Sequence, residues 1–180
     1  MKVQNEGHAT LTFRDGLVGL PDLKRWILVD MDPPLPMKWL QSLDRVAFRV
    51  PVADPGFFHD DFGFEVPAPT LERLGVEDPQ DLVVMVIATV GEGGSTVTGN
   101  LSAPLLVNSK NRNGLQMVLV DERYRLRHPI DQVRFGCACR NAKPADAGAV
   151  PATVVDKGRD GGYAADGRHA GMVEDLVGTP

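Results

Sequence analysis

Cysteine, aromatic residues and long apolar runs are all scarce in this chain of 180 residues. The two cysteines, Cys137 and Cys139, stand one residue apart and supply no disulfide framework. The most apolar stretch, Leu82–Val90, has nine residues, whereas a membrane-spanning helix needs about 20. Residues Met1–Phe13 carry one lysine and no apolar core of a secretion signal. These absences lead to the expectation of a cytoplasmic protein without a membrane segment. Basic residues are also in the minority: 19 Lys and Arg stand against 24 Asp and Glu, a net charge of -5. Nucleic-acid binding draws on clustered cations that displace counterions, so direct contact with DNA or RNA is not expected. An acidic balance suits a basic protein partner, or one held through apolar surface.

Catalytic signatures are equally thin. The glycine-rich stretch Gly91-Glu92-Gly93-Gly94-Ser95-Thr96 has no lysine to reach a terminal phosphate, and its glutamate repels phosphate, so it reads as a hairpin turn. No Gly-x-Ser-x-Gly elbow occurs. The cluster His59-Asp60-Asp61 reads as a solvated loop, since no second histidine lies near it at helical or strand spacing. Cys137-x-Cys139 is one ligand pair where a structural zinc site shows two. The carboxylate pairs, among them Asp60-Asp61, Glu77-Asp78 and Asp121-Glu122, read as solvated surface beside turns. No catalytic residue, cofactor or metal ligand is assigned.

What the chain does contain is a series of short β-patterned segments. Ala9–Phe13, Lys24–Asp30, Met37–Leu43, Val46–Val52 and Phe62–Val66 alternate or are rich in β-formers. Val83–Val90 is continuously apolar, as in a strand covered on both faces. Leu101–Val107, Leu115–Val120 and Tyr124–Arg127 complete the set. Asp15-Gly16, Asp54-Pro55-Gly56 and Asn113-Gly114 read as turns between them. Helix is confined to Thr70–Leu74, with Thr70 as cap and Gly75 as stop, and a turn at Asp78-Pro79-Gln80-Asp81. The expected fold is mainly all-β: a small antiparallel barrel-like sheet with one or two short helices. Closure would remove exposed edges. Residues 131–180, with eight glycines and nine alanines, read as a flexible C-terminal tail behind a domain spanning 1–130. Met172–Val177 stands out in it as a short docking motif or helical turn.

One set of motifs is specific in its order. Phe13-Arg14-Asp15-Gly16-Leu17-Val18-Gly19-Leu20 resembles the opening signature of the FliW family of flagellar assembly factors. Trp39-Leu40-Gln41-Ser42-Leu43 is similar to that family's Trp-Leu-Gln-Ser-Leu strand, and Ala47-Phe48-Arg49-Val50 with Asp54-Pro55 follows in place. Thr98–Asn108, containing Asn100-Leu101-Ser102-Ala103-Pro104, and Gly114–Leu119 close the match with Tyr124 and Arg127–Ile130. The departures are Leu20 for an aromatic, Gly99 for the usual alanine, and a longer tail from Asp131. The resemblance implies a barrel-like sheet and a non-enzymatic protein that binds newly made flagellin. It further implies binding of CsrA, the RNA-binding translational regulator that represses flagellin synthesis, in exclusion of flagellin; the sequence leaves open a block of the RNA surface or of an adjoining site, and the family leans toward the latter. A small ligand- or single-stranded-RNA-binding barrel is the alternative. A metal-dependent enzyme using His59 or the cysteine pair is a more distant one.

Most signature residues have structural explanations. Gly16, Gly19 and Gly114 suit turns, and Trp39, Leu40, Leu43, Phe48 and Leu101 suit a core. Pro104 within a strand points to an edge or bulge. The polar amides Gln41, Asn100 and Asn108 lie in apolar stretches and need partners, either internal backbone or another protein. The expected binding face therefore runs from Thr98 to Asn108 and includes Leu101 and Pro104. Gln41 is a further candidate, and the acidic residues Glu77 and Asp78 form the rim.

Overall fold

A computed structural model describes residues 9–32, 35–91 and 96–131, together with the backbone of 153–156 and 163–166. The strands are β1 (Leu11–Phe13), β2 (Arg25–Asp30), β3 (Met37–Ser42), β4 (Arg49–Ala53), β5 (Gly63–Val66), β6 (Leu82–Val90), β7 (Val97–Gly99), β8 (Leu105–Asn108), β9 (Asn113–Gln116), β10 (His128–Pro129), β11 (Thr153–Asp156) and β12 (Tyr163–Asp166). The helix α1 spans Ala68–Leu74, and single 3₁₀ turns lie at Pro55–Phe57 and Pro79–Asp81.

Hydrogen bonding closes a ring in the order β6, β4, β3, β2, β1, β9, β8 and back to β6. Six of its seven pairings are antiparallel, and β1 runs parallel to β9 through Thr12↔Asn113 and Phe13↔Gly114. The parallel pair corrects the expectation of a purely antiparallel sheet. An odd number of strands cannot alternate direction all the way round a closed ring, so one pair must be parallel. The long strand β6 serves three neighbours, β8 along Leu82–Met85, β4 at Val86 and Ile87, and β7 along Ala88–Val90.

Two-residue periodicity sorts the side chains into two cores. Leu11, Phe13, Trp26, Leu28, Leu40, Val52, Val83, Met85, Leu105 and Val107 form one buried cluster, with one face of each contributing strand. The alternate residues Leu82, Val84, Val86 and Ala88 of β6 join Leu106, Phe62, Phe64 and the α1 residues Leu71 and Leu74 in the other. β6 is thus covered on both faces, as its unbroken apolar run requires. The indole N–H of buried Trp26 donates to the Leu23 carbonyl at 3.1 Å, which satisfies its polar atom.

α1 begins at Ala68 behind Pro67, without a side-chain cap, so Thr70 lies inside it; Gly75, at φ 68°, ends it in the left-handed region. Gly16 and Gly19 have φ of 70° and 81°. Gly114 is different: it lies in β9, and a Cβ there would stand 2.7 Å from the Phe13 ring. Its role is close packing rather than a turn. The expected strand Leu115–Val120 ends as a ladder at Gln116, but Met117 and Leu119 still donate to the carbonyls of Pro104 and Ser102. Tyr124–Arg127 is turn and coil, with the strand delayed to His128, because Asp121 accepts from the Arg123 N–H at 3.0 Å and folds the chain back.

The segment expected as a flexible tail contributes two strands. β11 and β12 pair with each other, and β12 pairs with β5 from Tyr163↔Val66 to Asp166↔Gly63. Cys137, Cys139 and Met172–Val177 lie outside the described residues.

Candidate protein-binding site

The polar residues singled out in the sequence fall into three places. Asn108, at the end of β8, is 2% exposed and lies against the C-terminus of α1. Its amide nitrogen donates to the carbonyls of Leu74 at 3.2 Å and Gly75 at 2.7 Å, and its oxygen accepts from the N–H of Lys110 at 2.8 Å. Asn111 adds a bond to Leu74 at 2.8 Å. The β8–β9 turn therefore caps α1 from outside, satisfying carbonyls that a helix end leaves without partners.

That cap fixes the chain leaving α1, which carries Glu77 and Asp78, both exposed. Asp78 accepts from the Gln80 N–H at 2.9 Å and holds the 3₁₀ turn. The turn delivers Asp81 inward, where its carboxylate meets the Lys110 ammonium at 2.6 Å. Lys110 is held above its ordinary pKa by the hydrogen bond it donates to Asp81, by that residue's charge, and then by the charges of Asp78 and Glu77. Three acidic groups thus share one lysine, and Glu77 and Asp78 give this corner a negative rim.

The second place is the loop from β7 to β8. The Asn100 N–H donates to Ile87 at 2.9 Å, and its side-chain oxygen accepts from the Ser102 hydroxyl at 3.1 Å. Leu101 is buried in the outer core, and its N–H reaches the Arg125 carbonyl at 3.1 Å. Pro104 is buried just before β8, where its missing N–H costs no ladder bond, and its carbonyl accepts from Met117 at 3.0 Å. Leu101, Pro104 and Asn108 hold the segment in place, and its accessible surface comes from Thr98, Asn100 and Ser102, all partly exposed.

Gln41 stands apart on β3. Its amide nitrogen donates to Val46 at 2.7 Å and Phe48 at 2.9 Å, bracing the β3–β4 turn. The internal-backbone reading of the embedded amides therefore holds for Gln41 and Asn108. Asn108 and the acidic pair are brought together, whereas Gln41 and Asn100 are not part of that corner.

Sequence reasoning missed a further cluster. His59 is not in a solvated loop: its ring lies 5.5 Å from that of His128 and 5.6 Å from that of Tyr124, and both histidine Nδ1 atoms are enclosed without a hydrogen-bond partner among the described residues. The two histidines are 69 positions apart, so no local spacing announces the contact. Burial, then the charges of His59 and Arg125, push the His128 pKa down. Among the described residues no group of three or more His, Cys, Asp or Glu side chains is arranged to hold a metal, and no helix is long and apolar enough to cross a membrane.

Comparison with known proteins places this geometry. The family described as FliW protein matches residues 1–130. The flagellar assembly factor FliW of Caldanaerobacter subterraneus subsp. tengcongensis is 34% identical over 119 residues, 66% of this chain and 79% of that protein. The flagellar assembly factor FliW of Alkaliphilus metalliredigens is 36% identical over 121 residues, 67% and 75% of the two chains. That of Treponema pallidum is 34% identical over 125 residues, 69% and 83%. A crystal structure of the flagellar assembly factor FliW superposes with a TM-score of 0.63 at 26% identity, covering 72% of this chain and 89% of that one. Family match and closed sheet agree over the same residues, and the chain belongs to the FliW family of flagellar assembly factors.

Proposed function

We propose that this protein acts in the cytoplasm by binding alone, holding flagellin when unexported flagellin is abundant and CsrA when it is not. Family membership across residues 1–130 carries this reading. Capture of CsrA would lift its repression of flagellin synthesis, and flagellin would reverse that by mass action. Such a switch needs two ligands with exclusive occupancy and no chemistry. The negative rim at Glu77 and Asp78 supports a contact with a basic protein such as an RNA-binding regulator. The proposed face joins that rim to the Thr98–Asn108 segment through Asn108, with Leu101, Pro104 and Asn108 supporting it from within and Asn100 presenting at its far end.

Calorimetric titration with CsrA, before and after saturation with flagellin, tests the reading. The expected result is one-to-one binding that flagellin abolishes. Absence of binding to both proteins overturns it, and binding to flagellin alone removes the translational role.

A further inference from the structure

A cleft of about 590 Å³ separates β5 from the extended segment that follows β9, with Phe64, Glu65, Val118, Leu119 and Val120 among its walls. That volume lies in the range of ligand-sized clefts, roughly 300–1,000 Å³. One wall is an edge of β5 and the other the segment past the end of β9. On one side, Met117 and Leu119 turn their N–H groups toward Pro104 and Ser102. Extended backbone alternates, so the N–H and C=O groups of Val118 and Val120 point the opposite way; among the described residues they have no hydrogen-bond partner. On the other side, the Gly63 N–H donates to the Tyr124 hydroxyl at 2.9 Å, and its C=O accepts from that hydroxyl at 2.8 Å. By the same alternation Glu65 presents its backbone on the Tyr124 side, facing the cleft, while Phe64 and Val66 face β12 on the outer edge.

The side chains add a chemical preference. Phe64 and Leu119 are buried beneath the cleft. Val118 is 63% exposed and Val120 fully exposed on its outer surface. Glu65 and Glu122 are exposed, with no cation paired to either among the described residues, whereas Asp121 is neutralised by Arg123 at 2.7 Å. We propose that this cleft is a strand-acceptor site: an extended segment of a partner protein, apolar at alternate positions and lysine- or arginine-bearing between them, inserts between β5 and residues 117–121. Backbone groups on both walls supply the register, and Glu65, on the cleft wall, selects the basic partner. The site is independent of the Glu77 rim, so the fate of one does not decide the other.

The test uses amide hydrogen exchange on the full chain with the synthetic peptide Lys-Val-Lys-Val-Lys-Val and its glutamate counterpart as probes. The lysine peptide should slow exchange at Glu65, Val118 and Val120 and leave the Glu77 corner unchanged. The glutamate peptide should bind more weakly, and Glu65→Lys should weaken lysine-peptide binding by about fivefold. Val118→Lys, at an exposed position, should keep the melting temperature and lose the protection. No slowing at these three amides with millimolar peptide overturns the proposal. So does protection already present before peptide is added, which would mean a segment of this chain fills the cleft, or protection that rises with protein concentration, which would mean a second copy does.

Discussion

The side-chain amide of Asn108 bonds the carbonyl of Leu74, 34 positions away in sequence, and so ties the end of β8 to the end of α1. The same side chain serves Gly75 and the N–H groups of Lys110 and Asn111, the latter at 3.3 Å. Replacing it by alanine leaves the Gly75 carbonyl without its donor and the Leu74 carbonyl with Asn111 alone. Asn108→Ala should cost about 2–3 kcal/mol in urea unfolding, and Asn108→Asp, which keeps the acceptor but not the donor, should recover only part of it. A loss below half a kcal/mol for alanine would show that water replaces the amide.

Glycine packing gives a second expectation. A Cβ at Gly99 would stand 2.8 Å from the Phe58 ring, and one at Gly114 would stand 2.7 Å from the Phe13 ring. Phe13 is fully buried inside the barrel, so Gly114→Ala should destabilise by about 1–3 kcal/mol. Gly99→Ala should behave likewise until Phe58 is trimmed. In a double-mutant cycle, Phe58→Leu should cost less in the Gly99→Ala background than in the wild type, a coupling absent if the two sites are independent.

These pairs show what sequence reading reaches. Strands β1 to β6 and β8, and the double cover of β6, were legible because apolar alternation and an unbroken run report burial directly, whereas β7 and β10, three and two residues long, give no such signal. The parallel β1–β9 pair was not, because it follows from ring closure and no local residue encodes it. Gly114 looked like a turn glycine, since Asn113-Gly114 is a common turn dipeptide, and only Phe13, about a hundred positions earlier, reveals its packing role. The acidic pair Glu77-Asp78 was legible as surface. The His59–His128 contact and the cleft beside β5 depend on tertiary neighbours and left no signal in spacing.

The histidine pair predicts a pH dependence. His128 is part-buried against His59, whose ring also meets Tyr124, and lies near the charge of Arg125; its folded-state pKa lies below the ordinary 6.5. As pH falls through 6.5 the unfolded chain therefore takes up the proton before the folded chain does. Stability is full above that value and declines as pH drops from there through the lower folded value. His128→Gln should flatten the profile between about pH 7 and about pH 5.5, a window above the ordinary carboxylate range. An unchanged slope would assign the dependence to other groups.

The acidic rim yields the most direct test of partner recognition. Glu77 is exposed and its side chain makes no hydrogen bond or ion pair among the described residues, so charge reversal there leaves the fold intact. Asp78 is different, because its carboxylate also holds the Gln80 N–H. Asp78→Asn removes the charge and keeps an acceptor for that bond, separating recognition from local structure. Glu77→Lys and Asp78→Asn together should leave the melting temperature within about 2 °C of wild type, since surface changes are small. Affinity for CsrA should fall about tenfold at low salt, and the gap should narrow as salt rises, because exposed charges are screened over about 10 Å at 0.1 M. Unaltered affinity at low salt would place the basic partner's contact elsewhere on the barrel. A loss that salt does not narrow would point to a disturbed turn at Pro79–Asp81 rather than to a lost charge contact.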